Sequence, residues 1–361
     1  ATQWGQRVLV VTGRSPEPGR RLSADLEARG AHTVAFTVAG EPDVDLITRG
    51  LREAREGRCD VVVAAGGGSV IDTGKAIAGL LTNPGEISDY LEVVGKGKPL
   101  QHPAAPFIAV PTTAGTGAEV TRNAVLGVPS AHGLKVSLRS PLLLPRLAVV
   151  DPQLTLGLPP AITARTGLDA LTQLIEAYVS IRANPVTDGF CVQGIALVAR
   201  SLRRAFHHGA EPEPRHDMAL AALLSGMALA NAGLGVVHGF AAPVGGRFHA
   251  PHGAICAAIL PYGMGMNVRA LRDRAPESIA LHRYQEVGRI LTGHAGATAE
   301  DAISWARDTC QEFAIPPLGV YGVGERDVPG LVLESAKTSS MKGNPLVLTP
   351  EELREVLSRS I

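Results

Sequence analysis

The chain has 361 residues, which is enough for about two domains of ordinary size. Its 34 lysines and arginines balance its 34 aspartates and glutamates, which argues against a nucleic acid or a membrane surface as a partner. No apolar run approaches the roughly 18 residues that a membrane helix needs. The four cysteines are widely spaced without a C-x-x-C pair, which is typical of reduced thiols, so we expect a cytoplasmic protein.

The first part of the chain alternates strand patterns with helix patterns. Short apolar runs rich in β-branched residues predict buried strands at 7–13, 32–38, 59–68, 107–113 and 146–151. Helical patterns accompany these runs at 18–30, 44–57 and 69–81. Because the predicted strands are apolar without alternation, we expect a parallel sheet that is covered by helices on both faces.

The rest of the chain has a helical periodicity. It predicts helices at 160–181, 186–206, 212–234, 275–293 and 298–313, with a short terminal helix near 350–359. Almost no strand pattern follows residue 151. The sequence therefore predicts an α/β domain over residues 1–157 and an all-helical domain over residues 158–361.

A glycine-rich turn joins a predicted strand to a predicted helix in DVVVAAGGGSVIDTGKA. Gly67, Gly68 and Ser69 lie in this turn, where the backbone can approach a ligand and the free N–H groups of the new helix favour phosphate. Asp72, which we place in the first helical turn, also suits a helix N-terminus. A plain strand-to-helix turn is the alternative, although it needs one glycine rather than three. The segment matches neither the G-x-G-x-x-G nor the Walker pattern.

A second loop of the same character follows a strand in PTTAGTGAEVT, residues 111–121. Thr112, Thr113 and Thr116 supply hydroxyl groups there. The two loops follow neighbouring strands of one predicted parallel sheet, and the carboxyl ends of such strands meet at the same edge. We therefore expect both loops to converge on one bound ligand.

Two pairs of polar residues form a candidate metal site. Asp169 and Gln173 are four positions apart in TGLDALTQLIEAYVS, so a helix places them on one face. His238 and His252 are 14 positions apart, and one straight helix would separate them by about 21 Å. Prolines and glycines between them are expected to break that helix and let the chain fold back. Two nitrogen and two oxygen donors suit a divalent transition metal, and satisfied polar groups at helix ends are the alternative.

The chain resembles the iron-dependent (group III) alcohol dehydrogenases in five ordered motifs: GGGSVIDTGKA, PTTAGTGAEVT, LKVSLRSPLLLPRLAVVDPQLTLGLPP, TGLDALTQLIEAYVS and HGFAAPVGGRFHAPHGAICAAILP. The resemblance implies that residues 1–157 bind a dinucleotide and that residues 158–361 bind metal and substrate. It implies that Asp169, His238 and His252 are metal ligands with a part in catalysis. It also implies that a nicotinamide cofactor contacts Gly67, Gly68, Ser69, Thr112, Thr113, Thr116 and Lys135.

Three features depart from the family pattern. Gln173 stands where the family usually has a histidine ligand, so an amide oxygen is expected to take that place and to hold the metal less firmly. Ala242 stands where many members have a further active-site histidine. His249 is a candidate to replace it in proton transfer, and an exposed histidine without that role is the alternative. The resemblance also implies one more strand–turn segment before RVLVVTG, so we expect a further N-terminal piece.

The activity that the resemblance implies is the interconversion of a small alcohol and its aldehyde or ketone. Hydride passes to or from the nicotinamide, and a divalent metal, iron or zinc, lowers the pKa of the alcohol or polarises the carbonyl. Asp169, His238 and His252 form a two-histidine, one-carboxylate set, which suits iron(II). The resemblance alone implies a homodimer.

The turn after the first strand, VVTGRSPEPG, bears on the choice of cofactor. In the family an aspartate after the threonine often contacts the ribose hydroxyls and repels a 2′-phosphate. Here Gly13 removes that charge, and Arg14, followed by Ser15, is a good partner for a phosphate. The sequence therefore favours NADP(H) over NAD(H), with a solvated loop arginine as the alternative.

Three other functions fit the same architecture. A maleylacetate-type reductase has no well-kept metal set, and Gln173 leaves that interpretation open. A dehydroquinate-synthase-like lyase needs several basic residues around its site, and only Lys135, Arg139, Arg146 and Arg247 lie near the motifs. A pseudoenzyme with a decayed metal site is the third, and the intact cofactor loops argue against it.

Overall fold

The computed structural model describes residues 1–128 and 134–361. The chain divides into two compact units. The first comprises Ala1–Thr113 and Ala118–Leu154, and the second comprises Ala114–Gly117 and Thr155–Ile361. Each unit has hydrophobic cores of its own.

The first unit is an α/β fold. In chain order its elements are β1 (Arg7–Thr12), α1 (Pro16–Glu27), β2 (His32–Thr37), α2 (Val44–Glu56), β3 (Val61–Gly66), α3 (Gly68–Thr82), α4 (Ile87–Tyr90), β4 (Phe107–Pro111), β5 (Asn123–Val128), β6 (Leu134–Arg139) and β7 (Leu147–Ala148). Five strands form one parallel sheet in the order β2-β1-β3-β4-β7, and β5 pairs with β6 in an antiparallel hairpin. The predicted parallel sheet is confirmed.

Both faces of the central strands are buried, as their continuous apolar sequences predict. Every residue of β3 is buried, and so is every residue of β1 after Arg7. Neighbouring residues of a strand point to opposite faces. Leu9 accordingly packs with Ile77 of α3 in one core, and Val8 packs with Leu26 of α1 in another. Helices therefore cover both faces of this sheet.

The β5–β6 hairpin is absent from the sequence prediction. Along β5 half-buried and buried residues alternate, which is the pattern of a strand with one face against a core. Our prediction relies on continuous apolar runs, and a strand of this kind lacks one. The last strand of the sheet is also shorter than the predicted 146–151, because β7 is a partly exposed edge strand of two residues.

The second unit is helical. Its helices are α5 (Pro160–Val179), α6 (Pro185–His207), α7 (Pro212–Ala232), α8 (Val236–Phe248), α9 (His252–Arg274), α10 (Ile279–Thr292), α11 (Ala299–Glu312), α12 (Val328–Ser335) and α13 (Pro350–Ser358). Among the described residues of this unit there is no strand, which confirms the predicted helical fold. The prediction misses α8, α9 and α12.

The chain folds back between α8 and α9 at Pro251, the last of the four residues that are expected to break the helix. Pro243, Gly245 and Gly246 were expected to break the helix, yet all three lie inside α8. All three residues are buried. Pro243 removes one backbone hydrogen bond of the helix, and packing maintains the helix despite that loss. The break comes at His249, which has a left-handed backbone with φ of 52°, and at Pro251, which precedes α9.

The expectation that no apolar stretch approaches membrane length is wrong for helix α9. By length and composition alone it is able to cross a membrane, since an 18-residue window has a mean hydropathy of 1.3. Within the protein 83% of that window is buried, and the core helix of a soluble protein passes the same test. Helices α7 and α8 pass it only as a pair bent by 100°.

Candidate metal centre and cofactor-binding edge

Asp169 and Gln173 lie one turn apart on α5, as their spacing predicts. This helix begins at Pro160, a residue suited to a first helical turn, and every residue from Gly167 to Val179 is buried. Asp169 is therefore only 1% exposed and Gln173 only 2%. A carboxylate withdrawn from water in this way needs a cation or several hydrogen-bond donors to offset its desolvation.

His238 on α8 and His252 at the start of α9 approach the same carboxylate. Their ring centroids are 5.4 Å apart. Nε2 of His238 lies 3.4 Å from Oδ1 of Asp169, and Nε2 of His252 lies 3.6 Å from the same oxygen. The structure thus brings together three of the four residues that the sequence predicts as metal ligands.

A fourth donor, the thiol of Cys256, joins this cluster. Its Sγ atom lies 3.7 Å from Nε2 of His238 and 3.7 Å from Nε2 of His252. Asp169, His238, His252 and Cys256 each offer one donor atom, and these four atoms lie within 4.8 Å of one another. Oδ1 of Asp169 is buried and has no hydrogen-bond partner among the described residues. An unpaired oxygen facing two nitrogens and a sulfur fits a divalent metal.

Glu176, farther along α5, orients His238. Its Oε2 lies 2.7 Å from Nδ1 of His238, and its Oε1 accepts a hydrogen bond of 2.7 Å from the backbone N–H of Val237. A carboxylate at Nδ1 keeps the proton on that nitrogen and leaves the Nε2 lone pair directed at Asp169. This is the arrangement of a metal-ligating histidine with its supporting carboxylate.

The electrostatics of the metal-free cluster favour protons on its histidines. Burial opposes charge on His238, but Cys256, Asp169 and Glu176 together raise the pKa of His238 well above its usual value. Burial likewise opposes charge on His252, and Cys256 and Asp169 raise the pKa of His252. Burial alone would raise the pKa of Asp169, yet the two histidines hold it below its usual value. A metal and protons therefore compete for the same imidazole nitrogens.

Gln173 has a different neighbour. Its Oε1 accepts a hydrogen bond of 2.8 Å from the hydroxyl of Ser225 on α7. This bond satisfies the amide oxygen that the sequence assigns to the metal. The role of Gln173 as a ligand stays a prediction.

The two residues discussed for proton transfer lie on the same stretch of chain. Ala242 is a half-buried residue of α8 and has no titratable group. His249 caps the end of α8 and is exposed. Its part in proton transfer stays a prediction.

Replacement of Glu176 by glutamine is expected to weaken zinc affinity about 10- to 100-fold, the usual effect of losing a residue that orients a ligand. The amide removes the charge that holds the proton on Nδ1 of His238. The measurement is zinc binding in competition with a chromogenic chelator. Glu286→Gln is the matched control, since Glu286 of the same unit accepts a hydrogen bond from Tyr178 instead. Equal zinc affinity of E176Q and the wild type would contradict the orienting role.

The glycine turn after β3 lies beside Thr112 and Thr113, the first residues after β4, within the first unit. Parallel strands end at one edge of their sheet, and the turns after β3 and β4 lie there. Gly67 caps α3, whose first two residues are Gly68 and Ser69. The backbone N–H of Thr112 donates to the last carbonyl of β3 at 2.9 Å, and a Cβ on Gly67 would lie 3.3 Å from Oγ1 of Thr113. The close approach favours glycine at position 67.

The turn Gly13–Arg14–Ser15 joins β1 to α1 at the same edge of the sheet. Arg14 is exposed, and its Nε donates a hydrogen bond of 2.6 Å to the carbonyl of Ala39, just beyond β2. The guanidinium is therefore held between the ends of two neighbouring strands. In dinucleotide-binding sheets this is the region where the adenosine ribose lies.

The placement of Asp72 in a first helical turn is wrong. Helix α3 begins at Gly68, so Asp72 lies beyond the first turn. Its Oδ2 accepts a hydrogen bond of 3.0 Å from the N–H of Val125 on β5, and its Oδ1 lies 3.5 Å from Nζ of Lys75. Burial raises the pKa of Asp72. These contacts tie α3 to the hairpin, and a contact with the cofactor stays a prediction.

Two further predicted cofactor residues lie away from the glycine turn in the chain. Lys135 is on β6, and its Nζ lies 3.3 Å from Oε2 of Glu41. Thr116 is in the segment Ala114–Gly117, which belongs to the second unit. The contacts of both residues with a cofactor stay predictions.

The sheet edge and the donor cluster define a class of enzyme that uses a nucleotide cofactor and a divalent metal. Comparison with known families identifies it further. Residues 1–152 match the family model for iron-containing alcohol dehydrogenase, and residues 163–361 match the model for the C-terminal part of the Fe-containing alcohol dehydrogenase family. The chain belongs to the iron-containing alcohol dehydrogenase family.

Known proteins resemble the chain over nearly its whole length. Long-chain-alcohol dehydrogenase 1 of Geobacillus thermodenitrificans is 35% identical over 93% of this chain and 84% of its own. The crystal structure of a 1,3-propanediol oxidoreductase is 33% identical, with a TM-score of 0.89 over 99% of this chain and 92% of its own. A sulfoacetaldehyde reductase from Bifidobacterium kashiwanohense, solved with NAD⁺, is 29% identical with a TM-score of 0.85 over 99% and 91%. The chain is thus an oxidoreductase between alcohols and aldehydes, from a family that uses NAD(P) and iron or a similar divalent metal.

Sequence reasoning misses two residues of the cluster, although each carries a signal. Glu176 follows Asp169 by seven positions, which is two turns along the same helical face. Cys256 follows His252 by four positions, which repeats the spacing of Asp169 and Gln173. A search for donors at these spacings from each predicted ligand would have found both.

Proposed function

We propose that the enzyme interconverts a small alcohol and its aldehyde or ketone, with a divalent metal held by Asp169, His238 and His252. The proposal is supported by Oδ1 of Asp169, which is buried, has no hydrogen-bond partner among the described residues and faces Nε2 atoms at 3.4 and 3.6 Å. The bound metal supplies a Lewis acid for the substrate oxygen, and a nicotinamide exchanges the hydride.

The residues of the cluster have distinct roles in this proposal. Asp169 contributes the negative charge that offsets the metal, and the two histidines contribute neutral nitrogens. Glu176 keeps His238 in the tautomer that binds metal. The side chain of His238 is 6% exposed and that of His252 is 32% exposed, so a small substrate reaches the cluster past His252.

We propose that the cofactor binds to the first unit, which lies within the predicted domain 1–157. We also propose that this cofactor is NADP(H) rather than NAD(H). The N-terminus of α3 and its glycine turn present free N–H groups, which favour the phosphates. Gly13 places no carboxylate after β1, and the anchored guanidinium of Arg14 is suited to a 2′-phosphate. The helical domain 158–361 then supplies the metal and substrate residues.

The basic residues that a dehydroquinate-synthase-like lyase requires have other partners. Lys135, Arg139 and Arg247 each form an ion pair with a glutamate. Arg146 lies over the ring of Trp4, 6.0 Å from its centroid. These contacts favour the alcohol dehydrogenase over the lyase.

The function is tested by an activity screen of the metal-loaded protein. Chains loaded with iron(II) or zinc are assayed with short aldehydes and alcohols and with both NADPH and NADH. We expect turnover that is lost on chelation and restored by the metal. Full activity with less than about a tenth of a metal ion per chain would contradict a metal-dependent mechanism.

Replacement of Gly13 by aspartate is expected to move the cofactor preference toward NAD(H). The added carboxylate repels a 2′-phosphate and can accept hydrogen bonds from the ribose hydroxyls. Its Cβ finds its nearest neighbour, Val70, at 3.8 Å, so the side chain fits. We expect kcat/KM for NADPH to fall at least about tenfold relative to NADH, since a hydrogen bond to a charged group is worth about 1.5–3 kcal/mol.

Gly157→Asp is the control for this experiment, because it adds the same charge at an exposed position in the other unit. It is expected to leave the ratio of the two kcat/KM values unchanged. A wild-type enzyme that clearly prefers NADH would refute the NADP(H) proposal. An unchanged ratio in G13D would show that this turn does not contact the ribose.

We further propose a cytoplasmic homodimer. All four cysteines are free, which is usual for a reducing compartment. The dimer is an inference from the family. Light scattering coupled to size exclusion measures the mass of the assembly, and a monomer would contradict it.

A further inference from the structure

Cys256 is placed to act on the same metal as His252. The two residues are four positions apart on α9, so their side chains lie on one face of the helix. Cys256 is fully buried, and its Sγ lies 3.7 Å from Nε2 of His252 and 3.7 Å from Nε2 of His238. The buried thiol therefore lies close to two imidazole nitrogens and a carboxylate, which are the neighbours expected of a metal ligand.

The distances within the cluster match the edges of a metal tetrahedron. With zinc about 2.0–2.2 Å from nitrogen or oxygen and about 2.3 Å from sulfur, neighbouring donors are about 3.3–3.6 Å apart. The Asp169 oxygen lies 3.4 and 3.6 Å from the two histidine nitrogens, and the Cys256 sulfur lies 3.7 Å from each of them. The two remaining separations are within 4.8 Å. Four of the six separations therefore suit four donors around one metal ion.

We propose that Cys256 is the fourth protein ligand of this centre, in the place that the sequence assigns to Gln173. The proposal rests on the proposed metal-dependent function and specifies its donor set. The amide oxygen of Gln173 lies 2.8 Å from the hydroxyl of Ser225, whereas the thiol of Cys256 faces the donor atoms of the cluster. The centre is then one carboxylate, two imidazoles and one thiolate.

A thiolate ligand changes the charge and the selectivity of the site. As a ligand Cys256 would be a thiolate, so Asp169 and Cys256 together would supply two negative charges for a divalent ion. Sulfur is a soft donor that favours zinc and cobalt over manganese or magnesium. A zinc ion held by these four residues would still accept a substrate oxygen, because zinc centres can expand to five ligands. The enzyme is therefore expected to select zinc more strongly than a site with three histidines and one carboxylate.

The test is the absorption spectrum of the protein titrated with cobalt(II) chloride. A cobalt–thiolate bond gives a near-ultraviolet charge-transfer band, and imidazole or carboxylate ligands do not. We expect this band to grow to saturation at about one cobalt per chain, together with the visible bands of a four- or five-coordinate ion. The readout comes from the unaltered protein and does not depend on catalysis.

Cys256→Ser is expected to lose the charge-transfer band while the visible bands remain. Its zinc affinity should fall by more than about 100-fold, which exceeds the effect of losing a supporting residue. Manganese affinity should change by less than about tenfold, because a hard ion gains little from sulfur. Cys310→Ser is the matched control, since this thiol lies against the carbonyl of Ala257 and not in the cluster, and its spectrum should equal that of the wild type.

The possible failures are separable. Cobalt binding without a charge-transfer band would overturn the Cys256 assignment and leave the metal-dependent function standing. A band that persists in C256S would assign it to another thiol and overturn the proposal. A loss of visible bands in Gln173→Ala, with none in C256S, would return the fourth position to Gln173. A chain that binds neither cobalt, zinc nor iron would overturn the proposed function itself.

Discussion

Replacement of Asp169 by asparagine is expected to reduce bound zinc or iron from about one ion per chain to less than about a tenth. Asparagine keeps the shape of the side chain, which is 1% exposed, but removes the charge of the carboxylate whose free oxygen faces both histidine nitrogens. The value of kcat/KM for aldehyde reduction should fall by at least about 1,000-fold, because a Lewis acid supplies several kcal/mol of transition-state stabilisation. Metal analysis after dialysis and steady-state kinetics measure the two effects.

Asp188→Asn is the matched control for this experiment. Oδ1 of Asp188 is, like Oδ1 of Asp169, a buried carboxylate oxygen without a hydrogen-bond partner among the described residues. Asp188 instead pairs with Arg283 at 2.6 Å and lies in the first turn of a different helix, α6. Its replacement should leave metal content intact. Equal metal loss in both variants would indicate a general effect of removing a buried aspartate, and full metal in D169N would overturn the ligand assignment.

The sheet of the first unit could be predicted because each central strand is short, apolar and buried on both faces. The runs at 7–13 and 59–68 have no polar alternation, and the structure places β1 and β3 side by side at the centre of the sheet. The hairpin could not be predicted in the same way. Its strand β5 alternates buried and half-buried residues, and a criterion based on continuous apolar runs does not detect such a strand.

The donor cluster was partly accessible to sequence reasoning. Helical spacing relates Asp169 to Gln173, and a break in the chain was needed to join His238 with His252. Pro251 stands at that break as expected, whereas Pro243 lies within α8, where packing overrides its local preference. Cys256 was overlooked because a cysteine without a second cysteine nearby predicts no metal site by itself. Its three partners are Asp169 on α5, His238 on α8 and His252 on α9, and only the fold brings them together with Cys256.

Lys75 of α3 connects parts of the first unit through buried hydrogen bonds. These contacts, like those of Cys256, could not be predicted from sequence patterns. Its ammonium is fully buried and donates hydrogen bonds to the carbonyls of Ala118 and Asn123 at 2.8 and 2.7 Å and to the hydroxyl of Thr121 at 3.1 Å. It also pairs with Asp72 at 3.5 Å. One side chain thus joins the helix that carries the glycine turn to the chain that leads into β5.

Replacement of Lys75 by methionine is expected to lower the free energy of unfolding of the first unit by about 3–5 kcal/mol. Burial lowers the pKa of Lys75 and raises that of Asp72, so each charge depends on the other and on the surrounding oxygens. Methionine keeps the length of the side chain but leaves the Asp72 carboxylate without its cation and two carbonyls without this donor. The cost of an uncompensated buried charge exceeds the gain from an apolar chain.

The two tryptophans allow this loss to be measured in one unit at a time. Trp4 packs against a core of the first unit and Trp305 is in a core of the second, and the sequence contains no other tryptophan. In a Trp305→Phe background the fluorescence of Trp4 therefore follows urea unfolding of the first unit. Lys98→Met is the control, because that side chain is 55% exposed and its replacement should leave the urea midpoint unchanged. A K75M midpoint equal to that of the control would mean that the Asp72 carboxylate is accommodated without Lys75, and the buried pair would then not be what fixes α3 to the hairpin.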